Sequence, residues 1–250
     1  MKSFGFHVLK GGVGKTTISG SVGYYTASTG RKTLLIDGDP QGSLSSWFLT
    51  KLEGLKHELA DILAGKVSVS DTIVQYNENL YFIPSFGING MLKNYSETKL
   101  NDEPFIFVDL FEEFRSLNFD LIIYDLSPGM SRLEKSIILS LQEVITPFTP
   151  EYFGLEGLTI FTDELKKIRK NFRREIKHDK VVINLVNHSF RRHNLVMEEF
   201  KKMNYRLFFI PQDSKLAESQ MVNKSIFEAY PDSKSIPSIK DIGNVILEVI

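Results

Sequence analysis

Cysteine is absent from all 250 residues. Disulfides, thiolate zinc sites and cysteine-ligated iron–sulfur clusters are therefore excluded, and the lack fits a reducing compartment. No apolar run approaches the roughly 18 residues of a membrane-spanning helix. Met1–Phe4 leads straight into a strand-like segment, without the basic and apolar regions of a secretory leader. A soluble, cytoplasmic protein is expected. An excess of one charge is lacking too: 30 Lys and Arg against 31 Asp and Glu leave a net charge of −1. That balance gives no global pull toward DNA or anionic lipid, but it leaves room for a local basic patch. There is no internal repeat, no low-complexity linker and no Ser-His-Asp arrangement. The five histidines (His7, His57, His178, His188 and His193) are scattered. They read as solvated surface groups in preference to a metal pair of His188 with His193.

What is present is apolar material for a core: 42% of the residues, with 19 Phe among them. The length suits one α/β domain over residues 1–250. Strand-like and helix-like segments alternate, as in a mostly parallel sheet covered by helices on both faces. Strands are expected at Phe4–Leu9, Thr33–Ile36, Leu80–Ile83, Phe119–Tyr124, Val144–Phe148, Val181–Val186 and Leu207–Ile210. Helices are expected at Thr16–Thr29 (closed by Gly30), Ser43–Lys51, Glu58–Ala64 (ended by Gly65), Phe105–Leu117, Leu155–Phe172 and Ile239–Ile250. The stretch 85–103 mixes Gly, Asn and Ser and reads as a loop.

The first strand runs into Lys10-Gly11-Gly12-Val13-Gly14-Lys15-Thr16-Thr17, and a helix follows. Strand, glycine-rich loop and helix is the context of a phosphate-binding loop. Glycines let the backbone wrap closely around phosphates, successive amides form an anion nest, and the helix dipole adds positive potential. Lys15 would reach the β- and γ-phosphates of ATP, and the Thr16 hydroxyl would ligate Mg²⁺. A second strand ends in Asp125, which would bind Mg²⁺ through water. Leu9 stands where the ordinary loop pattern has glycine, and Lys10 is an additional cation.

This loop resembles the deviant Walker A loop of the ParA/MinD family of ATPases. Asp37-Gly38-Asp39-Pro40-Gln41 resembles that family's Asp-x-Asp-Pro-Gln switch motif at every fixed position. Pro150–Leu158 resembles PEYFALEGL, 210–218 resembles IPRNVRLAEA, and 230–235 resembles YDPKSKG. The segment Leu126-Ser127-Pro128-Gly129 departs from the family's second switch. The C-terminus lacks the basic amphipathic helix of MinD, and iron–sulfur members need cysteine, so the chain looks like the short Soj type of ParA. The resemblance implies a P-loop NTPase-like fold. It implies that Lys10 reaches the nucleotide of a partner copy, that Asp39 orients the attacking water, and that Asp37 supports the metal's water shell and the loop's shape. Asn187, Pro211 and Asp213 would line the adenine pocket, and Arg192 and Lys215 would contact DNA. The basic run Lys166–Lys180 is a further DNA candidate, with a solvated helix face as the plainer reading.

The function implied is an Mg²⁺-dependent ATPase that dimerises with ATP and binds DNA without sequence preference. A ParB-like partner would stimulate it, and it would act in chromosome or plasmid partition, cytoplasmic and nucleoid-associated, without a membrane partner. Two rivals stand beside it: an ATPase that positions a protein cargo such as a chemoreceptor or flagellar assembly, and a P-loop kinase for a small molecule.

Overall fold

In the computed structural model, which describes residues 1–50, 52–100 and 102–249, eight strands form one sheet. They are β1 (Lys2–Phe6), β2 (Thr33–Gly38), β3 (Val74–Gln75), β4 (Leu80–Ile83), β5 (Leu121–Leu126), β6 (Glu143–Phe148), β7 (Lys177–Val186) and β8 (Arg206–Pro211). Their spatial order is β3-β4-β2-β5-β1-β6-β7-β8. Every neighbouring pair is parallel except β3 with β4. This is the mostly parallel, helix-covered α/β architecture of P-loop NTPases. β2, β5 and β6 are buried at every residue, as strands covered on both faces must be, and their sequences are correspondingly near-continuous apolar runs.

Three apolar clusters pack the sheet among the described residues, the smallest of them holding Val8, Val13, Phe148, Ile183 and Phe200, and two larger ones cover its faces. One packs Ile18, Val22, Trp47, Phe48, Ile239, Ile242 and Ile246 against Phe4, Phe6 and Leu35. The other gathers Phe107, Phe114, Leu133, Ile137, Phe161 and Leu165 on the opposite face. Helix Lys15–Ser28 lies in the first layer and is hemmed in by neighbours, with Ser19, Gly20, Ser21 and Gly23 all buried. A Cβ at Gly20 would lie 2.5 Å from the Trp47 ring, and one at Gly23 2.5 Å from Leu35. Small residues let the helix sit close enough to the sheet for its first turn to face the ends of β2 and β5.

Register delivers the acidic side chains. β2 and β5 pair with Asp37 opposite Asp125, and β1 pairs with β5 with Phe6 opposite Asp125. The carboxyl ends of three adjacent strands therefore end at one level beside the loop that leaves β1. In open parallel sheets this edge is where ligands bind.

The expected elements recur with shifted ends. The first strand stops at Phe6, because the loop takes over before Leu9. Helix Ser43–Phe48 is shorter than expected, and Lys51 lies outside the described residues. The last helix is Ile236–Leu247, and Ile250 lies outside the described residues. The stretch 85–103 is not a plain loop: it holds a 3₁₀ turn, Gly87–Asn89, and a helix, Leu92–Thr98. Leu92 and Tyr95 are buried one turn apart. The buried Glu58 carboxylate accepts the Phe86 N–H at 2.7 Å and the Met91 N–H, a brace from 28 and 33 residues away. Helix Arg132–Ser140 was not among the expected elements, although its capping box, Ser131 with Glu134, is written in the chain. No helix among the described residues is long and apolar enough to cross a membrane.

Gly42 holds the β2 loop against this brace. It has φ +66°, and a Cβ there would stand 2.7 Å from Gly87 N and 2.8 Å from Ser85 O. Gly42→Ala is expected to destabilise the fold by at least about 2 kcal/mol through backbone strain and displacement. A urea unfolding midpoint equal to the wild type would contradict this account.

Candidate nucleotide site

The loop after β1 is shaped by two left-handed glycines, Gly12 at φ +76° and Gly14 at φ +91°. Gly14 is the N-cap of helix Lys15–Ser28 and supplies no side-chain cap, so the first helical amides stay available to an anion. Val13 is buried under the loop, and its carbonyl accepts Asn184 Nδ2 at 2.9 Å. Asn184 is itself buried at the end of β7, and its Oδ1 accepts the Leu185 N–H at 2.9 Å. A buried amide thus props the loop from β7, two strands away from β1 in the sheet. Sequence reasoning passed over it, because only the sheet order brings β7 there.

Lys15 is only 7% exposed. Burial lowers its pKa, while Asp125, Asp39 and Glu134 oppose that shift. Asp125 is fully buried, and it accepts the Thr16 hydroxyl at 2.6 Å and the Ser19 hydroxyl at 3.0 Å. Burial lifts its pKa to about 7 against the pull of those two donors. Asp37 is equally buried; its Oδ2 accepts Ser45 N at 2.7 Å and Ser45 Oγ at 2.6 Å, and its Oδ1 accepts Asp39 N at 3.2 Å. Burial first, then the Asp125 charge, push its pKa to about 8. Both Asp37 oxygens thus serve the loop that carries Asp39. Asp39 keeps 8% exposure and accepts the Gln41 N–H at 2.8 Å.

Lys15, Thr16 and Asp39 line a cleft of about 760 Å³ whose floor is Gly11, Gly12, Gly14, Lys15, Thr16 and Thr17, while Asp37 and Asp125 are fully buried and do not reach its surface. Asp39, Gln41, Trp47, Pro128, Gln220 and Asn223 form its walls. Gln220 Nε2 donates to the Thr17 hydroxyl at 3.0 Å across the cleft. A second cavity of about 690 Å³ continues past Asp39, Gln41 and Pro128 to Lys93, Arg132 and Glu134. Glu134 is buried; it accepts the Ser127 hydroxyl and, at 2.6 Å, the Ser131 N–H, tying both ends of the 127–131 loop.

The donor set fits Mg²⁺. Thr16 and Asp125 are hard oxygen ligands within hydrogen-bond distance of each other, so one ion can engage both, directly or through water. Burial, and for Asp37 the neighbouring Asp125 charge, raise the pKa of both carboxyls, and a divalent cation beside Asp125 would favour its charged form.

The remaining candidates lie apart. Lys10 does not enter the cleft: its ammonium meets Glu151 at 2.7 Å, both side chains being about half exposed. Asn187, Pro211 and Asp213 sit at the ends of β7 and β8. Asn187 Nδ2 donates to Gln212 at 3.1 Å, and Asp213 caps helix Ser214–Met221 while accepting Ser233 Oγ at 2.7 Å and Ser235 Oγ at 3.1 Å. None of the three lines the cleft. Arg192 and Lys215 are exposed, Arg192 over Phe190 and Lys215 over Tyr230. Within the basic run, Lys180 is buried and paired with Glu143 at 2.5 Å and Asp179 at 2.9 Å, so it is no surface cation. Lys166 and Lys167 pair with Asp163 and Glu164 at 2.9 and 2.6 Å, as on a solvated helix face. The histidines are not all surface groups: His7 and His193 are buried. His193 Nδ1 accepts the Asn187 N–H at 3.1 Å, so that nitrogen is engaged with the backbone.

A family model described as an AAA domain matches residues 1–178. An uncharacterized protein of Borreliella burgdorferi is 41% identical over 247 residues, 98% of this chain and 99% of that protein. The chromosome-partitioning ATPase Soj of Treponema pallidum is 34% identical over 172 residues, 67% of this chain and 65% of that protein. Among solved structures, a plasmid partition protein from Borrelia burgdorferi bound to AMPPNP superposes with TM-score 0.79 at 25% identity, covering 100% of this chain and 99% of the other. A Cyanothece McdA in complex with ATP gives TM-score 0.85 at 21% identity, covering 98% and 96%.

The buried carboxylates make a prediction about pH. An acid whose folded pKa lies above its unfolded value binds more protons when folded, so stability falls as pH rises toward the folded value. With Asp125 at about 7 and Asp37 at about 8, the ligand-free protein is expected to lose stability from about pH 5 to pH 8. Asp125→Asn should remove at least about 1 kcal/mol of that difference. Urea titrations of both proteins at pH 5, 6.5 and 8 measure it, and an identical slope in the variant contradicts the burial argument.

Proposed function

The chain belongs to the ParA/MinD family of ATPases, and from that premise we propose that it is a single ATPase domain that hydrolyses ATP and dimerises with it. We propose further that the ATP-bound dimer binds DNA without sequence preference and serves chromosome or plasmid partition. The observation that carries this reading is the convergence of Lys15, Thr16 and Asp39 on one cleft beside a loop with open amides, with the buried Asp125 bonded to Thr16.

Each step follows from the chain's own groups. The amides of Gly11–Thr17, with the start of helix Lys15–Ser28, cradle the phosphates of ATP. The Lys15 ammonium, held in a nearly water-free site, neutralises charge on the β- and γ-phosphates more effectively than it would in solvent. Thr16 and Asp125 would hold Mg²⁺, which would supply positive charge to the phosphate oxygens and the leaving group. Asp39 stands at the rim where both cavities meet, and in this reading it orients the water in line with the γ-phosphate. Asp37 supports that role by fixing the Asp39 backbone.

Lys10 takes part in trans. Its ion pair with Glu151 is solvent-exposed, and such pairs contribute about 0–1 kcal/mol. A phosphate presented by a second copy can therefore draw Lys10 away at little cost, which couples dimerisation to ATP. The dimer doubles the exposed cations Arg192 and Lys215, and bivalency raises affinity for DNA. A ParB-like protein is the proposed activator, and a cytoplasmic, nucleoid-associated location follows from DNA binding. Asn187, Pro211 and Asp213 remain the proposed surroundings of the adenine, reached where β7 and β8 end.

Lys15→Ala is expected to abolish ATP binding, read by isothermal titration. Asp39→Ala should bind ATP and dimerise while losing at least about a hundredfold in turnover. DNA binding should require ATP, ignore sequence and weaken steeply with salt. Tight ATP·Mg²⁺ binding by Lys15→Ala refutes the loop assignment. ATP-dependent dimerisation without DNA binding would favour the positioning of a protein cargo, and turnover dependent on a small acceptor would favour a kinase.

A further inference from the structure

Beneath the phosphate loop lies a titratable side chain that the proposed reaction leaves without a task. His7 follows directly on β1 and is fully buried. Its N–H donates to the Ile145 carbonyl at 3.1 Å, so the backbone is held beside β6 as an extension of the strand. Phe4 and Phe6 pack into the cluster on the helix Lys15–Ser28 side, and strand alternation sends His7 to the other face. There its ring meets Phe161 edge-on, with centroids 5.2 Å apart.

Both ring nitrogens are sealed from solvent; the Gly129 and Ser127 backbones approach closely enough to raise the ring's pKa against burial, but neither contact reaches full hydrogen-bond geometry. The polar groups that face them are the backbone of Gly129 and Ser127, and the Lys15 charge is close by. Burial, reinforced by Lys15, holds the imidazole pKa at about 3, so the ring is neutral and carries one N–H donor. An N–H left unpaired in a dry site is costly and rare. The 127–129 segment is the nearby source of acceptors. Glu134 holds both ends of the 127–131 loop, through Ser127 and Ser131. Gly129 in the middle has φ +104°, and no neighbouring atom lies within 4 Å of where a Cβ would be.

We infer that His7 is a positioning residue: when the 127–129 segment closes on the γ-phosphate, the His7 ring N–H donates to a carbonyl of Gly129 or Ser127 and fixes the closed form. The inference rests on the reading of the cleft as an ATP-hydrolysing site. Glu134 then holds the segment from outside in both forms, while His7 completes its bond in one of them only. A neutral donor suits the place, because a cation there would repel Lys15. Phenylalanine would fill the volume without supplying the N–H. An amide would supply an N–H near Nδ1 if Asn, or near Nε2 if Gln.

The test compares wild type with His7→Phe, His7→Asn and His7→Gln by steady-state ATPase kinetics, and by hydrogen exchange of residues 125–131 with and without AMPPNP·Mg²⁺. His7→Phe is expected to lower kcat about tenfold or more with KM within about twofold, and one of the two amide variants should restore kcat to within about threefold of wild type. AMPPNP should protect 125–131 in wild type and in the restoring variant, and not in His7→Phe. If His7→Phe does not fold, the smaller His7→Leu takes its place in every comparison. An unchanged kcat, a loss confined to KM, or a loss that neither amide restores overturns the inference. A wild type without ATP turnover refutes the ATPase reading. The exchange experiment judges His7 independently, since equal protection in wild type and His7→Phe overturns the inference whether or not ATP turns over.

Discussion

The structure depends on the burial of one carboxylate. Asp125 closes β5 at a point where β1 and β2 flank it in register, so no water reaches it. Its oxygens are satisfied by Thr16 and Ser19, two side chains of the first helical turns after the phosphate loop. That pair of hydrogen bonds fixes the helix to the centre of the sheet and sets the loop's height above the strand ends. Had β5 ended one residue earlier, strand alternation would have turned the carboxylate to the other face. The position of the whole cleft is thus a consequence of parallel register together with a dry acid.

The same burial divides the labour among the acids. Asp37 and Asp125 occupy equivalent places on adjacent strands, yet their surroundings differ. Asp37 is met by the Ser45 N–H and hydroxyl, from helix Ser43–Phe48, and by the Asp39 N–H, from the loop after β2. Asp125 is met by hydroxyls of the nucleotide loop's own helix. One acid therefore organises a loop, and the other stands where a cation bound with phosphate would lie. Asp39, at 8% exposure and engaged by the Gln41 N–H, is the one of the three acids that lines the cleft. Three similar side chains acquire three tasks from their hydrogen-bond partners alone.

Legibility in the sequence followed the range of the interactions. The glycine loop, the apolar strands and the acids at their ends were readable because strand, turn and helix signals are local. The alternation of strands and helices likewise gave the parallel sheet. The Asn184 prop under Val13, the Glu151 partner of Lys10 and the Glu58 brace at Met91 were not readable, because each joins residues brought together by sheet order. The helix at Leu92–Thr98 was hidden for the same reason: its composition is loop-like, and its stability comes from burying Leu92 and Tyr95. Lys180 was misread as part of a basic surface because Glu143, its neutralising partner, lies on the neighbouring strand. Helix Arg132–Ser140 was an avoidable omission, since Ser131 and Glu134 spell a capping box in the sequence itself.

The contrast between the two loop lysines is the last step. Lys15 is buried, and its charge is balanced by three nearby carboxylates, so it belongs to the site within the monomer itself. Lys10, five residues earlier, is half exposed and balanced by one exposed carboxylate. The backbone explains the difference. Gly12 and Gly14, both left-handed, curl the chain so that Lys15 faces inward while Lys10 stays outside the curl. A cation held this loosely adds little to the monomer's stability, and it can be recruited by any phosphate that approaches from outside. In this reading the loop carries one lysine for its own nucleotide and one for a neighbour's. The weakness of the Lys10–Glu151 pair is then what allows ATP on one copy to be sensed by another.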